Sequence, residues 1–298
     1  MSRQVQGYVY LALAMLTVGS TVVASKLIAS SLPPFSATAL RFAIAFPVFL
    51  VLMWATGARL PKLSREDRLI LVVQAGAGSV GYTTLLISGL SLTSAADAGV
   101  IIGTLPVVSA AISILLLRER PQRALLLAVA LATAGVLSIA FTPDAAGGAL
   151  SGNALIFLAV VCEGLFILLN KKLKTEIAPL AQSTLMAGIG FIVAVIPAIF
   201  EAPFAHGISG SAVAAVVYYA LVPTVGGFLL WYAGAERVSG TEAALFTALA
   251  PVSAVMLAFI ILGEPVGLAQ VAGIACVLAA VLGLAFAGSR TVKLARER

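Results

Sequence analysis

The chain has 298 residues, of which 61% are hydrophobic and 10% charged, and its mean hydropathy is +1.11. The surface of a water-soluble protein does not hold that share of apolar side chains, so the composition excludes a soluble globular protein and predicts an integral membrane protein. Because a membrane-spanning helix uses about 20 residues, ten spans would occupy about 200 positions and leave only short connections. We therefore expect a single membrane domain over residues 1–298, with no soluble domain attached.

Apolar runs bounded by charges, prolines or glycine clusters predict an all-α integral membrane protein with ten transmembrane helices. We number these predicted spans 1 to 10 in chain order. They cover residues 6–29, 34–56, 68–89, 95–117, 122–141, 150–170, 180–200, 211–235, 240–262 and 267–287. Each run is close to the length of about 20 residues that crosses the hydrocarbon core of a bilayer.

The formal net charge of +6 is compatible with a nucleic-acid or anionic partner, but the positions of the basic residues favour another explanation. If the N-terminus is cytoplasmic, sixteen of the eighteen Lys and Arg residues fall in the connections on the cytoplasmic side. Lys and Arg accumulate on that side of a membrane. The charge excess therefore predicts that both termini are cytoplasmic and that there is no nucleic-acid partner. The location that we expect is a bacterial-type inner membrane, which the protein crosses several times.

The chain contains an internal repeat at a constant offset of 145 residues, with a first copy over 6–141 and a second over 150–287. The matched residues include glycines, prolines and charges: Gly19 with Gly164, Lys26 with Lys171, Asp97 with Glu242, Pro106 with Pro251, and Glu119 with Glu264. Five spans is an odd number, so the second copy begins on the opposite side of the membrane and the two five-helix copies are inverted. Inverted repeats are typical of secondary transporters, because two related packings supply an inward-open and an outward-open state.

The repeated motifs also carry a family resemblance. They comprise Gly19-Ser20, Lys26, Pro34, Arg41-Phe42, Pro106, Glu119 and Pro121 in the first copy, with Pro251 and Gly263-Glu264-Pro265 in the second. This order resembles the EamA-type repeats of the drug/metabolite transporter (DMT) superfamily. Within it the size and layout are most similar to the YddG-type amino-acid exporters, although the motifs do not separate exporters of amino acids from exporters of other metabolites. It departs from the common pattern at Val18, where an aromatic residue is frequent. The resemblance implies ten helices, a central cavity lined mainly by spans 1, 3, 4, 6, 8 and 9, and spans 5 and 10 on the outside.

Glu163 is a charge within an apolar span. It lies about 13 residues into span 6, which at a rise of 1.5 Å per residue is roughly 20 Å from the membrane boundary. Charges at such depth are costly and are functional candidates by default. Glu163 is therefore a candidate ligand for a substrate ammonium group or a proton-coupling carboxylate. The alternative is a carboxyl group paired with a neighbouring helix or facing a water-filled vestibule.

Lys26 and Arg41 are the two basic residues outside the cytoplasmic connections. They are candidates for an outer gate or for attracting a substrate carboxylate, with Asp97 or Glu264 as partners. The inversion predicts an equivalent group at the inner side, consisting of Lys171, Glu242 and Glu119. The alternative is that these side chains reach toward lipid headgroups or form static ion pairs between helices.

Pro106 and Pro251 fall in the middle of spans 4 and 9. A proline lacks the backbone N–H and its ring clashes with the preceding turn, which frees the carbonyls of Ile102 and Thr247. We expect both prolines to act as hinges, and both carbonyls are candidates to receive a substrate ammonium group. The alternative is a kink without function, since neighbouring helices can satisfy the freed carbonyls.

Spans 3 and 8 combine glycines, which open space, with polar and aromatic side chains, which form a wall suited to a hydrophobic substrate group. The further cavity candidates are Tyr82, Thr83, Trp231, Tyr232, Phe246 and Ser20. The alternative for each aromatic residue is a lipid-facing or interfacial position.

The chain has one histidine, two well-separated cysteines and no phosphate-binding loop, so we expect no metal, no cofactor and no use of ATP. The sequence predicts a monomeric secondary transporter, not an enzyme, that exports small metabolites by alternating access in the lipid bilayer. Amino acids, aromatic ones included, are the substrates we expect. The alternatives are export of nucleobases, sugars or drugs, and, in another class, an intramembrane lipid-modifying enzyme.

Overall fold

A computed structural model describes residues 2–117, 123–140, 149–201, 207–238, 242–243 and 246–296. Within these ranges all regular structure is helical and no strand occurs, which confirms the all-α prediction.

We label the helices α1 to α10 in chain order. They are α1 (Arg3–Ala29), α2 (Pro34–Thr56), α3 (Arg65–Leu90), α4 (two segments, Ala95–Ile102 and Leu105–Leu117), α5 (Arg123–Ala140), α6 (Ala149–Lys172), α7 (Pro179–Ala198), α8 (Gly210–Ala235), α9 (Leu249–Leu262) and α10 (Leu268–Arg296).

Local chemistry sets several of the helix ends. Pro34 begins α2, where its fixed φ suits the first turn and its missing N–H is not needed. Gly57 ends the same helix with a φ of 67°, a left-handed conformation that glycine adopts without strain. At the start of α3 and α4 the hydroxyls of Ser64 and Ser94 accept hydrogen bonds from backbone N–H groups of the first turn.

Not every helix is long enough to cross a bilayer. In the part of the chain that the structure describes, six helices are long and apolar enough. They are α1, α2, α3, α6, α7 continued to Glu201, and α8. The two segments of α4 supply a seventh span if they count as one helix bent by 42°. Shorter apolar stretches occur in α5, α9 and α10. The structure thus supports six or seven membrane-crossing helices, and the number ten stays a prediction.

The two copies of the repeat pack in the same pattern. Helix α1 packs against α8 and α9, and its counterpart α6 packs against α3 and α4, so the first helix of each copy lies within the other copy. Small residues permit this close approach. A Cβ atom at Gly19 would lie 2.7 Å from the backbone nitrogen of Ala254, and one at Gly152 would lie 2.9 Å from the carbonyl oxygen of Gly89. Outside this centre α2 packs against α7, and α5 against α10.

Helices α3 and α8 each contain a seven-residue π-helical segment, Ala75–Gly81 and Ala220–Gly226. The two segments are separated by the repeat offset of 145 residues, so both copies carry the same irregularity. π-helical turns are rare and occur frequently at functional sites. Gly78 in the first segment leaves room for the ring of Phe166, whose Cγ would be 2.7 Å from a Cβ at this position.

The bundle has two distinct ends. We call the end that carries residues 3–8, 57–66 and 171–178 the basic end. There the buried Asp67 carboxylate accepts hydrogen bonds from Lys174 N (3.0 Å) and Thr175 Oγ1 (2.7 Å), which joins the start of α3 to the loop after α6. An exposed ion pair of 2.6 Å connects Lys174 to Glu66, and the hydrogen bond from this contact raises the pKa of Lys174.

We call the other end the opposite end. It carries residues 26–36, 91–97 and 199–209. Its connections are tied to each other by polar contacts. The hydroxyls of Ser31 and Ser209 lie 2.9 Å apart, and the Glu201 carboxylate accepts hydrogen bonds from Phe35 N (3.0 Å) and Ser36 N (2.7 Å) at the start of α2. A carboxylate is favourable at a helix N-terminus because it satisfies free N–H groups and interacts well with the helix dipole.

Candidate substrate cavity

A cavity of about 540 Å³ lies inside the bundle and is lined by residues of both repeats. This volume falls in the range of small-molecule sites. The resemblance implied walls formed mainly by helices 1, 3, 4, 6, 8 and 9, and the structure adds α2 and α7. Helix α2 contributes Arg41 and Phe49, and α7 contributes Gln182 and Met186.

Arg41 of α2 lines this cavity. Its Nε donates to Thr224 Oγ1 (3.0 Å) and its Nη1 donates to Thr83 Oγ1 (2.7 Å). The guanidinium carbon also lies 4.2 Å from the ring centroid of Tyr219 and 4.8 Å from that of Phe42. These contacts hold the cation by neutral hydroxyls and aromatic faces, without an ion pair to any described carboxylate.

The two threonines belong to the irregular parts of α3 and α8. Thr224 lies within the second π-helical segment and donates its hydroxyl proton to Tyr219 O (2.8 Å), while Thr83 follows the first segment and donates to Ser79 O (2.8 Å). With their protons used in this way, both hydroxyl oxygens present lone pairs to Arg41. The π-helical segments of both repeats therefore fix the position of the guanidinium.

Glu163 of α6 also lines the cavity. No described residue forms a hydrogen bond or an ion pair with its carboxylate, and its oxygens are more than 4.0 Å from the nitrogens of Arg41. A carboxylate away from bulk water is strongly disfavoured without a partner. A cation that enters the cavity beside Glu163 would supply the partner that stabilises its ionised form.

The two charges are not related by the repeat. The residue equivalent to Arg41 in the second copy is Met186, and the residue equivalent to Glu163 in the first copy is Val18. All four of these side chains line the cavity. Each repeat thus contributes one charge of opposite sign at a non-equivalent position, and a ligand that contacts both charges would bridge the two repeats.

The remainder of the wall is largely apolar and aromatic. Phe49 and Phe228 meet edge to face with ring centroids 5.7 Å apart, and Phe228 lies 4.6 Å from Tyr232. Trp231 and Phe166 line the same cavity. Such a wall is suited to an apolar substrate group attached to a charged head.

Seven of the predicted cavity candidates line the cavity, and two do not. Those in the wall are Tyr82, Thr83, Ile102, Glu163, Trp231, Tyr232 and Thr247. Ser20 and Phe246 are not among the residues that line it. Ser20 is buried and bonded within the bundle, since it donates to Thr17 O (2.6 Å) and accepts from Tyr218 Oη (2.8 Å). Phe246 stacks on Tyr8 at a centroid distance of 5.5 Å, outside the cavity lining.

Lys26 has partners other than the expected carboxylates. Its ammonium group donates to Leu90 O (2.8 Å), the last residue of α3, and to Thr93 O (2.6 Å) in the turn that follows, and not to Asp97 or Glu264. Carbonyls at a helix C-terminus lack intrahelical donors and carry partial negative charge, so a cation is favourable there. Lys26 thus fastens α1 to the end of α3.

The carboxylates at the opposite end also have separate roles. Glu264, just after α9, accepts hydrogen bonds from Ala95 N (3.1 Å) and Ala96 N (3.0 Å) and so caps α4. Asp97 accepts a hydrogen bond from Gln270 Nε2 (2.8 Å) of α10. The expected pairing of either with Lys26 or Arg41 is wrong, because free backbone groups at helix ends compete for the same side chains.

At the basic end, the expected inner group is only partly described. Glu242 accepts hydrogen bonds from Gln4 Nε2 (2.9 Å) and Tyr8 Oη, which joins it to the start of α1. Lys171 is exposed at the end of α6 and forms no ion pair with a described carboxylate. Glu119 lies outside the described residues.

Pro106 and Pro251 both line the cavity. The 42° bend of α4 falls at residues 103–104, directly before the turn that contains Pro106. In the second copy the carbonyl of Thr247, expected to be free, accepts a hydrogen bond from Ala250 N (3.1 Å). The chain itself therefore satisfies this carbonyl.

The sequence interpretation missed Thr224, Tyr219 and Phe49 as cavity residues. A signal for Thr224 was present, since it follows Pro223 in the interior of an apolar helix, where a side-chain hydroxyl can relieve a backbone defect. Phe49 gave no such signal, because an apolar side chain in an apolar helix does not indicate which direction it faces.

Comparison with known proteins identifies the same repeat. The model of a family described as the EamA-like transporter family matches residues 5–141 and again residues 150–286. The two matches cover both copies of the internal repeat.

Curated relatives resemble the chain over most of its length. "Uncharacterized transporter YetK" of Bacillus subtilis (strain 168) is 37% identical over 94% of this chain and 86% of its own. A "probable terminal-alkyne amino-acid exporter" of Streptantibioticus cattleyicolor is 28% identical over 86% of this chain and 84% of its own. A solved crystal structure with 21% sequence identity matches 97% of this chain and 98% of its own with a TM-score of 0.63, which shows a shared fold.

Proposed function

Since this chain belongs to the EamA-like transporter family, we propose that it is a secondary transporter that exports zwitterionic metabolites, amino acids foremost, by alternating access. The cavity between the repeats is the proposed binding site, with the substrate carboxylate at Arg41 and the substrate ammonium group at Glu163.

The observation that carries this proposal is the pair of opposite charges in one cavity that are not paired with each other. A zwitterion supplies the missing partner of each: a carboxylate for the unused N–H groups of Arg41, and an ammonium group for Glu163. Charge-assisted hydrogen bonds of this kind are roughly twice as strong as neutral ones. A nucleobase or a neutral sugar would leave both charges unpaired, which disfavours those alternatives.

The apolar wall of Phe49, Phe228, Trp231 and Tyr232 supports an uncharged side chain on the substrate. The relative named a probable terminal-alkyne amino-acid exporter, which is 28% identical, is consistent with this substrate class. We infer that medium and large apolar amino acids, aromatic ones included, are preferred over small or charged ones.

The proposed arrangement in the membrane follows the charge distribution. The basic end faces the cytoplasm, the two five-helix copies are inverted, and both termini are cytoplasmic, in the inner membrane of a bacterium. Because one chain holds both repeats and the whole cavity wall, the proposed functional unit is a monomer that needs no nucleotide.

The test is transport by purified protein in liposomes. Liposomes preloaded with a mixture of unlabelled amino acids should accumulate a radiolabelled apolar amino acid by exchange, at a rate well above that of protein-free liposomes. A flat signal for all twenty amino acids would refute the substrate assignment. Parallel assays with labelled uracil, a hexose and a cationic dye would then show whether the cavity serves one of the alternative substrate classes.

A further inference from the structure

We propose that Lys26 and Lys171 are two alternating latches, of which the structure shows one closed and the other open. When the cavity closes at the basic end, the ammonium group of Lys171 bonds to the carbonyls of Ala235 and Val238 at the end of α8, while Lys26 releases the carbonyls of Leu90 and Thr93.

The closed latch lies at the opposite end. Lys26, at the last turn of α1, donates to Leu90 O and Thr93 O at 2.8 and 2.6 Å. Helix α1 also packs against α3, the helix that these carbonyls terminate. The latch therefore fastens the first and third helices of one repeat to each other and closes the bundle at this end.

The second repeat contains the same parts in the same places. Adding 145 converts Lys26 to Lys171, Leu90 to Ala235 and Thr93 to Val238. Both helices end at the matching residue, since α3 ends at Leu90 and α8 ends at Ala235.

Two hydrogen bonds at the two helix ends correspond, whereas a third, from Thr93 N to Gly89 O (3.0 Å), has no counterpart between the described residues Val238 and Gly234. In α3, Ser91 N donates to Ile87 O (3.2 Å) and Leu92 N to Gly89 O (2.9 Å). In α8, Glu236 N donates to Tyr232 O (3.1 Å) and Arg237 N to Gly234 O (3.0 Å), the equivalent pairs after the offset. The carbonyl of Ala235, like that of Leu90, therefore lies at a helix end where it lacks an intrahelical donor.

The second latch is nevertheless open. Lys171 is exposed and makes no hydrogen bond to a described residue, whereas Lys26 is half-buried. Helices α6 and α8 flank the cavity through Asn170 and Trp231 without the packing that joins α1 to α3. One repeat is therefore latched and the other is not, which is what two inverted copies in alternate arrangements require.

The latches act in opposite directions on one equilibrium. Lys26 stabilises the arrangement seen here, and Lys171 stabilises the arrangement in which the other end is closed. Removing either cation should change the ratio of the two arrangements by about tenfold or more, because each latch has two hydrogen bonds to a charged group and one such bond is already equivalent to roughly a factor of ten. The inference rests on the proposed alternation between two states but not on the identity of the substrate.

The experiment measures the separation of α6 and α8 at the basic end. Spin labels are attached to cysteines that replace the exposed residues Glu176 and Glu236, in full-length protein from which Cys162 and Cys276 have been removed. Double electron–electron resonance in lipid nanodiscs, without substrate, gives the fractions of long and short distances. The wild type should show mainly long distances, and Lys26→Met should raise the ratio of short to long distances about tenfold or more.

Adding Lys171→Met to Lys26→Met should restore the long distances, whereas adding Lys172→Met, which removes a neighbouring exposed cation, should not.

The proposal is overturned if Lys26→Met leaves the distances unchanged, or if Lys171→Met shifts them in the same direction as Lys26→Met. If Lys26→Met does not fold, Lys171→Met alone is decisive: it should deplete the short-distance fraction of the wild type, and equal fractions in Lys171→Met and Lys172→Met would refute the latch. Because no transported molecule is involved, failure of the amino-acid assignment leaves this result unaffected.

Discussion

Replacing Arg41 with methionine should abolish the preference for a substrate carboxylate while leaving the fold intact. A guanidinium has five N–H donors, and described residues use two of those of Arg41, so donors remain for both oxygens of a carboxylate. Hydrogen bonds to charged groups contribute about 1.5–3 kcal/mol, which corresponds to a rise of about 10- to 150-fold in KM for a zwitterionic amino acid.

The structure also indicates why Arg41→Met should fold. Thr83 and Thr224 keep their donations to backbone carbonyls, so the change leaves no buried donor unsatisfied. Methionine already occupies the equivalent position of the second repeat, Met186, in the same cavity wall. We therefore expect a melting temperature in detergent within a few degrees of the wild type, and Lys172→Met at the surface is the matched control for loss of a positive charge.

The assay compares uptake of a labelled amino acid with its inhibition by the amine that lacks the carboxylate. In Arg41→Met, KM for the amino acid should rise while the inhibition constant of the amine stays within about twofold. If the substitution weakened the amine as much as the amino acid, Arg41 would be acting on the shape of the cavity and not on the carboxylate.

Three further substitutions test the site and the packing. Glu163→Gln should raise KM for a zwitterion about tenfold or more without changing the melting temperature, since it removes an acceptor that has no protein partner; wild-type uptake would remove Glu163 from the mechanism. Thr224→Val should raise KM about fivefold by releasing one contact of Arg41, equivalent to roughly 1 kcal/mol, and an unchanged KM would exclude this positioning role. Gly19→Ala should destabilise the protein by about 1–3 kcal/mol, because the added Cβ would press on α9. Gly76→Ala, which adds a Cβ into open space, should not destabilise it. Equal melting temperatures of these two variants would contradict the packing argument.

The sequence was most informative where a single residue has a strong local effect. Pro34 and Gly57 set the predicted and observed ends of α2 at the same residues, because proline favours the first helical turn and glycine the left-handed cap. The offset of 145 also relates the two π-helical segments, although the sequence did not indicate that either segment is π-helical.

The direction of side chains within apolar helices was not predictable. The helix that carries Ser20, α1, has apolar residues on all of its faces. The sequence therefore does not show which face lines the cavity and which packs against other helices. The partners of Lys26 were missed for another reason. They are backbone carbonyls, which every residue possesses, and a comparison of charged residues cannot identify them.

The central claim is that both ends of a zwitterion are recognised in the cavity by Arg41 and Glu163. It is tested most directly by competition against uptake of one labelled amino acid in liposomes, using three unlabelled molecules that share a side chain: the amino acid, the amine without the carboxylate, and the acid without the ammonium group. The account predicts that the amino acid competes at least tenfold more strongly than either analogue. Equal competition by all three molecules, or stronger competition by either analogue, would contradict it.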